Sequence, residues 1–383
     1  MVARECDQEC RRLLDRDSGE TVAREQGEVA GTHRVPPARA PDSGAGAFSK
    51  DTTFLSHGLV CYNCSMQKKI VVTGGAGFIG SHLAEKLLSL DFEVHVIDDF
   101  NNFYDPELKE QNIHQYSINK SFHVYRNDIT HAKELLKIFE FIQPECVIHL
   151  AARAGVRPSL EQPALYSHVN ILGTLNVLEA SKKVGVTQFI FGSSSSVYGN
   201  SPEIPFREDN ACDAMISPYA VTKRSAELFC KLYAENEKIP TTCLRFFTVY
   251  GPRQRPDLAI HSFMRKIATG ETISMFGDGS SARDYTYIDD IVDGIVAAIN
   301  KPLDFEIINL GNSHPIQLKD MIAEIEKAMG KKAIIETKPM QKGDVEKTFA
   351  NIEKAKKLLD WEPKTSFSDG IQKMAEWYNT SNA

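Results

Sequence analysis

The stretch "SPYAVTK" sets a phenol, Tyr219, and an ammonium, Lys223, four residues apart, one turn along a helix and on one face of it. Ser217 has the side chain of an N-cap and Pro218 suits a first helical position, so Tyr219 is expected in the first turn. A free phenol titrates at about 10 and is a poor base at neutral pH. A helix N-terminus and a nearby ammonium both favour the phenolate, so the pair could act as a tuned general base. A core tyrosine beside a solvated lysine shows the same spacing, and the pair alone does not separate the two.

"FGSSSSVYG" adds four hydroxyls, Ser193 to Ser196, where an apolar run ends. Ligands of doubly wound sheets sit at strand ends. A serine there could hydrogen-bond a substrate hydroxyl and relay its proton to Tyr219. The plainer alternative is a polar turn that caps the next segment.

A separate stretch, "VVTGGAGFIGSHLAEKLL" at residues 71–88, suggests that the backbone itself touches a ligand. Gly74, Gly77 and Gly80 separate a β-branched run from an amphipathic one, giving G-x-x-G-x-x-G at a strand-to-helix turn. Gly74 can make the tight turn, Gly77 lets a pyrophosphate approach the main chain, and Gly80 allows close helix packing. The helix N-terminus would hold the phosphates. "EVHVIDD" then ends a second strand at Asp98, a carboxylate placed to accept bonds from an adenosine ribose. No arginine follows Asp98 directly, which favours NAD over NADP.

Onward from Lys68, strands ("KIVVTG", "EVHVID", "FHVYRND", "ECVIHLAA", "QFIFGSS", "TTCLRFF") alternate with helices such as "AKELLKIFEF" and "ILGTLNVLEASKKV". That alternation predicts a parallel sheet covered on both faces. Later, "ISMFG", "FEIINLG" and two helical stretches suggest a smaller α/β region. At 383 residues the chain is long enough for two domains, and its net charge of −7 argues against non-specific nucleic-acid binding. No apolar run is long enough for a membrane span. Eight cysteines are scattered; Cys61 and Cys64 form a lone C-x-x-C without a second pair, so no metal site is expected, and the pattern fits a reducing cytoplasm. Residues 1–66 are rich in Pro, Gly, Ala and Ser and lack hydrophobic periodicity, so they read as a disordered extension, with Met66 a natural beginning for the domain.

The motifs "TGGAGFIG", "NDIT", "HLAA", "SSSSVYG", "SPYAVTK", "LRFFTVYGP" and "RDYTYIDDI" occur in order. On them the chain, over about residues 68–378, resembles the extended short-chain dehydrogenase/reductases, in particular nucleotide-sugar epimerases. The resemblance implies an α/β fold, a Rossmann-type doubly wound parallel sheet with a smaller α/β substrate-binding domain. Residues 67–245, with a return segment at about 285–310, would bind NAD, and 246–284 with 311–383 would bind substrate. Phe78 and Ile79 would line the pyrophosphate turn, Asp98 and Asn101 or Asn102 the adenosine side, and Asp128 and Ile129 would flank adenine. Leu150, Ala151, Ala152 and Asn170 would border the nicotinamide. Ser194 aligns best with the family's catalytic serine, although Ser195 and Ser196 stand near enough to confuse the choice; Tyr219 and Lys223 complete the set. Arg283 matches a diphosphate-binding arginine, whereas the basic residue expected near "QKGD" is Gln341 or Lys342.

The implied reaction is C4 epimerisation of a UDP-sugar. Tyr219 takes the C4 hydroxyl proton while hydride passes to NAD, and the 4-keto sugar turns over before reduction on its other face. The "FTVYGPRQRPD" run is most similar to the UDP-glucuronate 4-epimerase branch, which puts Thr248 and Arg255 against the sugar, Arg255 reading a carboxylate or a diphosphate oxygen. UDP-glucose, UDP-N-acetylglucosamine, net oxidoreduction and a non-enzymatic NAD-binding scaffold are the alternatives. A dehydratase would need an acid in the serine loop, and "SSSSVYG" has none. A homodimer through two helices per subunit is expected from the same resemblance.

Overall fold

A computed structural model describes residues 67–339 and 347–381. The extension 1–66, Cys61, Cys64, Gln341 and Lys342 lie outside the described residues. Strands and helices alternate through the first half: β1 (Lys69–Thr73), α1 (Phe78–Ser89), β2 (Glu93–Asp98), α2 (Pro106–His114), β3 (Phe122–Arg126), α3 (Ala132–Ile142) and β4 (Cys146–His149). Two short helices, α4 (Val156–Glu161) and α5 (Pro163–Ser167), lead through a π-helical turn, His168–Gly173, into α6 (Thr174–Val184). Then come β5 (Gln188–Ser194), a 3₁₀ turn (Ser195–Tyr198), α7 (Pro218–Glu237) and β6 (Thr241–Phe246).

Among the described residues seven strands form one sheet in the order β3-β2-β1-β4-β5-β6 and then β10 (Phe305–Leu310), every neighbouring pair parallel. The seventh strand, β10 (Phe305–Leu310), is the "FEIINL" run, so this segment extends the main sheet beside β6 rather than joining a separate one. Both sheet faces are covered, which is why these strands read as continuous apolar runs. Val72, Ile148 and Ile190 pack with Leu83 and Leu87 of α1 on one face. Val71, Ile97 and Phe189 pack with Phe139 of α3 and Leu178 of α6 on the other. Chain order reverses between β1 and β4, the place where such sheets open a crevice beyond the strand ends.

The remaining strands form two small sheets. β7 (Thr248–Tyr250), β9 (Ala282–Tyr287) and β11 (Pro315–Gln317) make one, with β9 central. β8 (Thr272–Phe276) pairs with β12 (Ile334–Lys338) in the other. Helices α8 (Ala259–Thr269), α9 (Ile288–Asn300), α10 (Leu318–Met329), α11 (Glu353–Leu359) and α12 (Phe367–Ser381) complete the described chain.

Candidate active site

A cleft opens at the switch point, lined from the ends of β1, β2, β4, β5 and β6. Its floor is the glycine turn. Gly74 has φ +70°, and a Cβ there would stand 2.8 Å from the Ala151 nitrogen. At Gly80 a Cβ would lie 2.2 Å from the Gly74 carbonyl oxygen, so α1 can rest on the turn only with glycine there. Gly77 is the N-cap of α1 and lines the cleft with Phe78 and Ile79, leaving first-turn amides without a side-chain cap. That is the cradle a pyrophosphate needs.

Asp98 closes the same end. It is buried, and its carboxylate accepts from the Ala76 nitrogen at 3.1 Å and the Phe100 nitrogen at 2.9 Å. Burial pushes its pKa up, against the pull of Lys109, whose Nζ lies 3.9 Å away. A carboxylate has four lone-pair sites, so Asp98 can brace the turn and still accept from a ribose hydroxyl. Asn101, Asp128, Ile129, Leu150, Ala151 and Ala152 also line the cleft.

Seven expected residues stand outside the lining: Ser194, Ser195 and Ser196, and four others. Asn102 is exposed and is not in the wall; its neighbour Asn101 is. Asn170 is buried behind the wall. It accepts from the Arg153 nitrogen at 2.8 Å and donates to Thr222 of α7 at 3.0 Å, tying the loop after β4 to that helix. Thr248 and Arg283 lie on the three-stranded sheet, β7 and β9, outside the cleft lining; Arg283 donates to the Ala282 carbonyl.

At the other end of the cleft α7 begins as its sequence requires. The Ser217 hydroxyl accepts from the Ala220 nitrogen at 3.2 Å and Pro218 follows. Tyr219 and Lys223 face the cleft together. The Ser194 hydroxyl stands beside the Tyr219 phenol and hydrogen-bonds Ser196 at 2.9 Å; of the four serines Ser193 is in the lining, while Ser194 and the 3₁₀ turn opened by Ser195 and Ser196 stand just outside it. Burial pushes the Tyr219 pKa up, opposed by the Ser194 bond and by the positive charge of Arg255.

Lys223 differs from expectation. Its ammonium donates to the Gly192 carbonyl at 2.7 Å over the Phe191 ring, and burial lowers its pKa to about 8. One of its three donors is thus held at the end of β5, and Arg255 adds a positive charge that acts on Tyr219. That arginine enters the cleft over the Phe103 ring and makes a forked pair with Asp257 at 2.9 and 2.8 Å.

The residues present fit a dinucleotide from end to end: glycine cradle, buried acid, apolar strip and polar far end. Comparison with known proteins agrees. A family described as GDP-mannose 4,6 dehydratase matches residues 71–374. UDP-glucuronate 4-epimerase of Thermodesulfobacterium geofontis is 46% identical over 309 residues, 80% of this chain and 95% of that one. The chain belongs to the extended short-chain dehydrogenase/reductases, in their nucleotide-sugar epimerase branch. Among solved structures of that branch, UDP-glucuronic acid 4-epimerase from Bacillus cereus, in complex with UDP-glucuronic acid and NAD, superposes with TM-score 0.77 at 39% identity, covering 82% of this chain and 99% of the other. UDP-glucose 4-epimerase from Thermotoga maritima, with UDP-glucose, gives 0.75 at 34%, covering 82% and 100%.

Several residues of this epimerase-branch cleft carry no local sequence signal. Phe103, Tyr104 and Lys109 come from the loop after β2 and from α2, and Arg153 from the loop after β4. Their side chains meet only because β1, β2 and β4 are neighbours. The asparagines of "FNNFYDPELK" point to that loop but not to these positions. Away from the cleft, Glu93, His95 and His123 meet where β2 and β3 begin. The Glu93 Oε1 lies 3.0 Å from the His95 Nε2 and 3.5 Å from the His123 Nε2. The imidazoles stack, and burial lowers both pKa values, that of His95 to about 3, with Lys69 adding repulsion. That cation also opposes a metal there.

Proposed function

We propose that the chain interconverts UDP-glucuronate and UDP-galacturonate by NAD-dependent epimerisation at C4. The observation that carries this reading is Arg255, a guanidinium in the same cleft as Tyr219 and acting on its phenol. A planar fork suits a sugar carboxylate.

NAD supplies a reversible hydride acceptor for the C4 carbon. Gly74, Gly77, Phe78, Ile79 and Gly80 would hold its pyrophosphate, Asp98 and Asn101 its adenosine ribose, and Asp128 and Ile129 its adenine. Leu150, Ala151 and Ala152 would border the nicotinamide. Tyr219 takes the proton from the C4 hydroxyl and later returns it to the same oxygen, so no proton is consumed. Ser194 holds the phenol in line and favours the phenolate. Lys223 anchors the strand end that carries Ser194. The serine loop lacks the acid that elimination of water would need, which argues against dehydration.

Residues 67–245 with 285–310 would form the cofactor half, and 246–284 with 311–383 the sugar half. Val221, Leu228 and Leu232 are 46%, 53% and 47% exposed on α7, and Leu172 is exposed before α6. Those two helices would pair with a second copy. Among the described residues no helix is long and apolar enough to cross a membrane, and Cys146, Cys212, Cys230 and Cys243 are free thiols, in keeping with work in the cytoplasm.

One observation favours a neutral sugar instead. Asp257 already occupies two donors of Arg255. Incubation with UDP-glucuronate, UDP-glucose and UDP-N-acetylglucosamine, followed by sugar analysis, tests the reading. UDP-galacturonate should form with no net change in NAD; accumulation of NADH would point to net oxidation.

A further inference from the structure

One face of α7 presents Tyr219, Lys223 and Glu227, each a turn apart. Each faces one of three consecutive residues at the end of β5, and two of them hold theirs by short hydrogen bonds. Tyr219 meets the Ser194 hydroxyl, Lys223 donates to the Gly192 carbonyl at 2.7 Å, and the Ser193 hydroxyl donates to the Glu227 Oε1 at 2.6 Å. Glu227 is wholly buried, and β6 supplies its counterion. Arg245, 1% exposed, donates to it from Nε at 2.8 Å and from Nη2 at 2.9 Å. Arg224 adds a third donor at 2.9 Å. The arginine is itself fixed: β5 and β6 pair with Ser193 opposite Arg245, and its guanidinium lies 4.7 Å from the centre of the Tyr198 ring.

A buried ion pair is an expensive way to fill a core, since apolar residues of equal volume are often as stable. What this pair provides is a direction. The fork leaves the carboxylate one orientation, and that orientation points an oxygen at Ser193. We propose that Glu227, locked by Arg245, is a positioning residue that fixes Ser193 and so keeps the adjacent Ser194 hydroxyl on the Tyr219 phenol. The proposal deepens the epimerase reading, and its chemical consequence is electrostatic. The Ser194 bond favours the phenolate, so releasing the strand end raises the pH at which Tyr219 becomes a base.

Ser193→Ala removes the one hydroxyl and leaves the Glu227–Arg245 pair intact, so the fold is kept. Tyrosinate ultraviolet absorbance is titrated in the parent and in Ser193→Ala, each against its own Tyr219→Phe counterpart. The Tyr219 titration should move to higher pH in Ser193→Ala and return toward the parent in Ser193→Thr, which restores the hydroxyl. On UDP-glucuronate, kcat should fall about ten- to a hundredfold with KM little changed, the scale of a slightly misplaced catalytic group. An unmoved Tyr219 titration overturns the proposal, even if the melting temperature drops, because a merely structural role would lower stability alone. The titration needs no turnover, so it gives its answer even if UDP-glucuronate is not the substrate.

Discussion

The Lys223 ammonium lies 2.7 Å from the Gly192 carbonyl oxygen, inside the protein and over an aromatic ring. Burial lowers its pKa from 10.5 to about 8, so the folded state carries this charge at a penalty. Between those two values the unfolded chain binds more protons, and stability therefore rises with pH across that window. The penalty is fully present below pH about 8 and gone above 10.5.

Lys223→Met has no such penalty. The stability of the variant relative to the parent should decrease by roughly 3 kcal/mol between the two pKa values, as the parent recovers. Denaturant unfolding of both proteins across that pH range checks it. A difference independent of pH would mean that Lys223 is not desolvated as its contacts imply.

Tyr219→Phe keeps the ring against Tyr166 and removes the oxygen. Turnover should fall by about 10² to 10⁴ while bound NAD, assayed in the purified protein, stays at the parent level. Near-normal turnover would show that another group is the base.

Gly80→Ala should destabilise the fold by about 1–3 kcal/mol, because its methyl must displace the Gly74 carbonyl and so deform the pyrophosphate turn. NAD content should fall with the melting temperature. Gly270→Ala, at φ +78° with nothing within 4 Å, is strained only in its backbone and should leave NAD content unchanged.

Where the signal was local, sequence and structure agree closely. The glycine turn, the Ser217 cap and the i, i+4 pair depend on residues within one or two turns of each other, so their spacing is enough. For Ser194 the sequence offered a preference by resemblance, with Ser195 and Ser196 near enough to confuse the choice; the register of β5 against α7 sets Ser194 beside Tyr219. Helical spacing puts Lys223 on the face of Tyr219 but does not say what its ammonium meets; the Gly192 carbonyl, from another element, holds one of its donors. Lys109, Arg153 and the Glu227–Arg245 pair were illegible, since each is brought in by strand order or by pairing between strands.

Leu228→Glu combined with Leu232→Glu places charge on the exposed face of α7. If that face meets a second copy, light scattering should show the parent as a dimer and the variant as a monomer. A dimer in both would move the interface elsewhere.

Substrate choice bears most directly on the proposed reaction. It is measured as kcat/KM for UDP-glucuronate against UDP-glucose and UDP-N-acetylglucosamine, in the parent and in Arg255→Ala. UDP-glucuronate should be preferred by the parent, and Arg255→Ala should lose activity mainly on that sugar, consistent with a charge-assisted contact of about 1.5–3 kcal/mol. Equal or better use of a neutral sugar by the parent would contradict the carboxylate reading and leave Arg255 to its pair with Asp257.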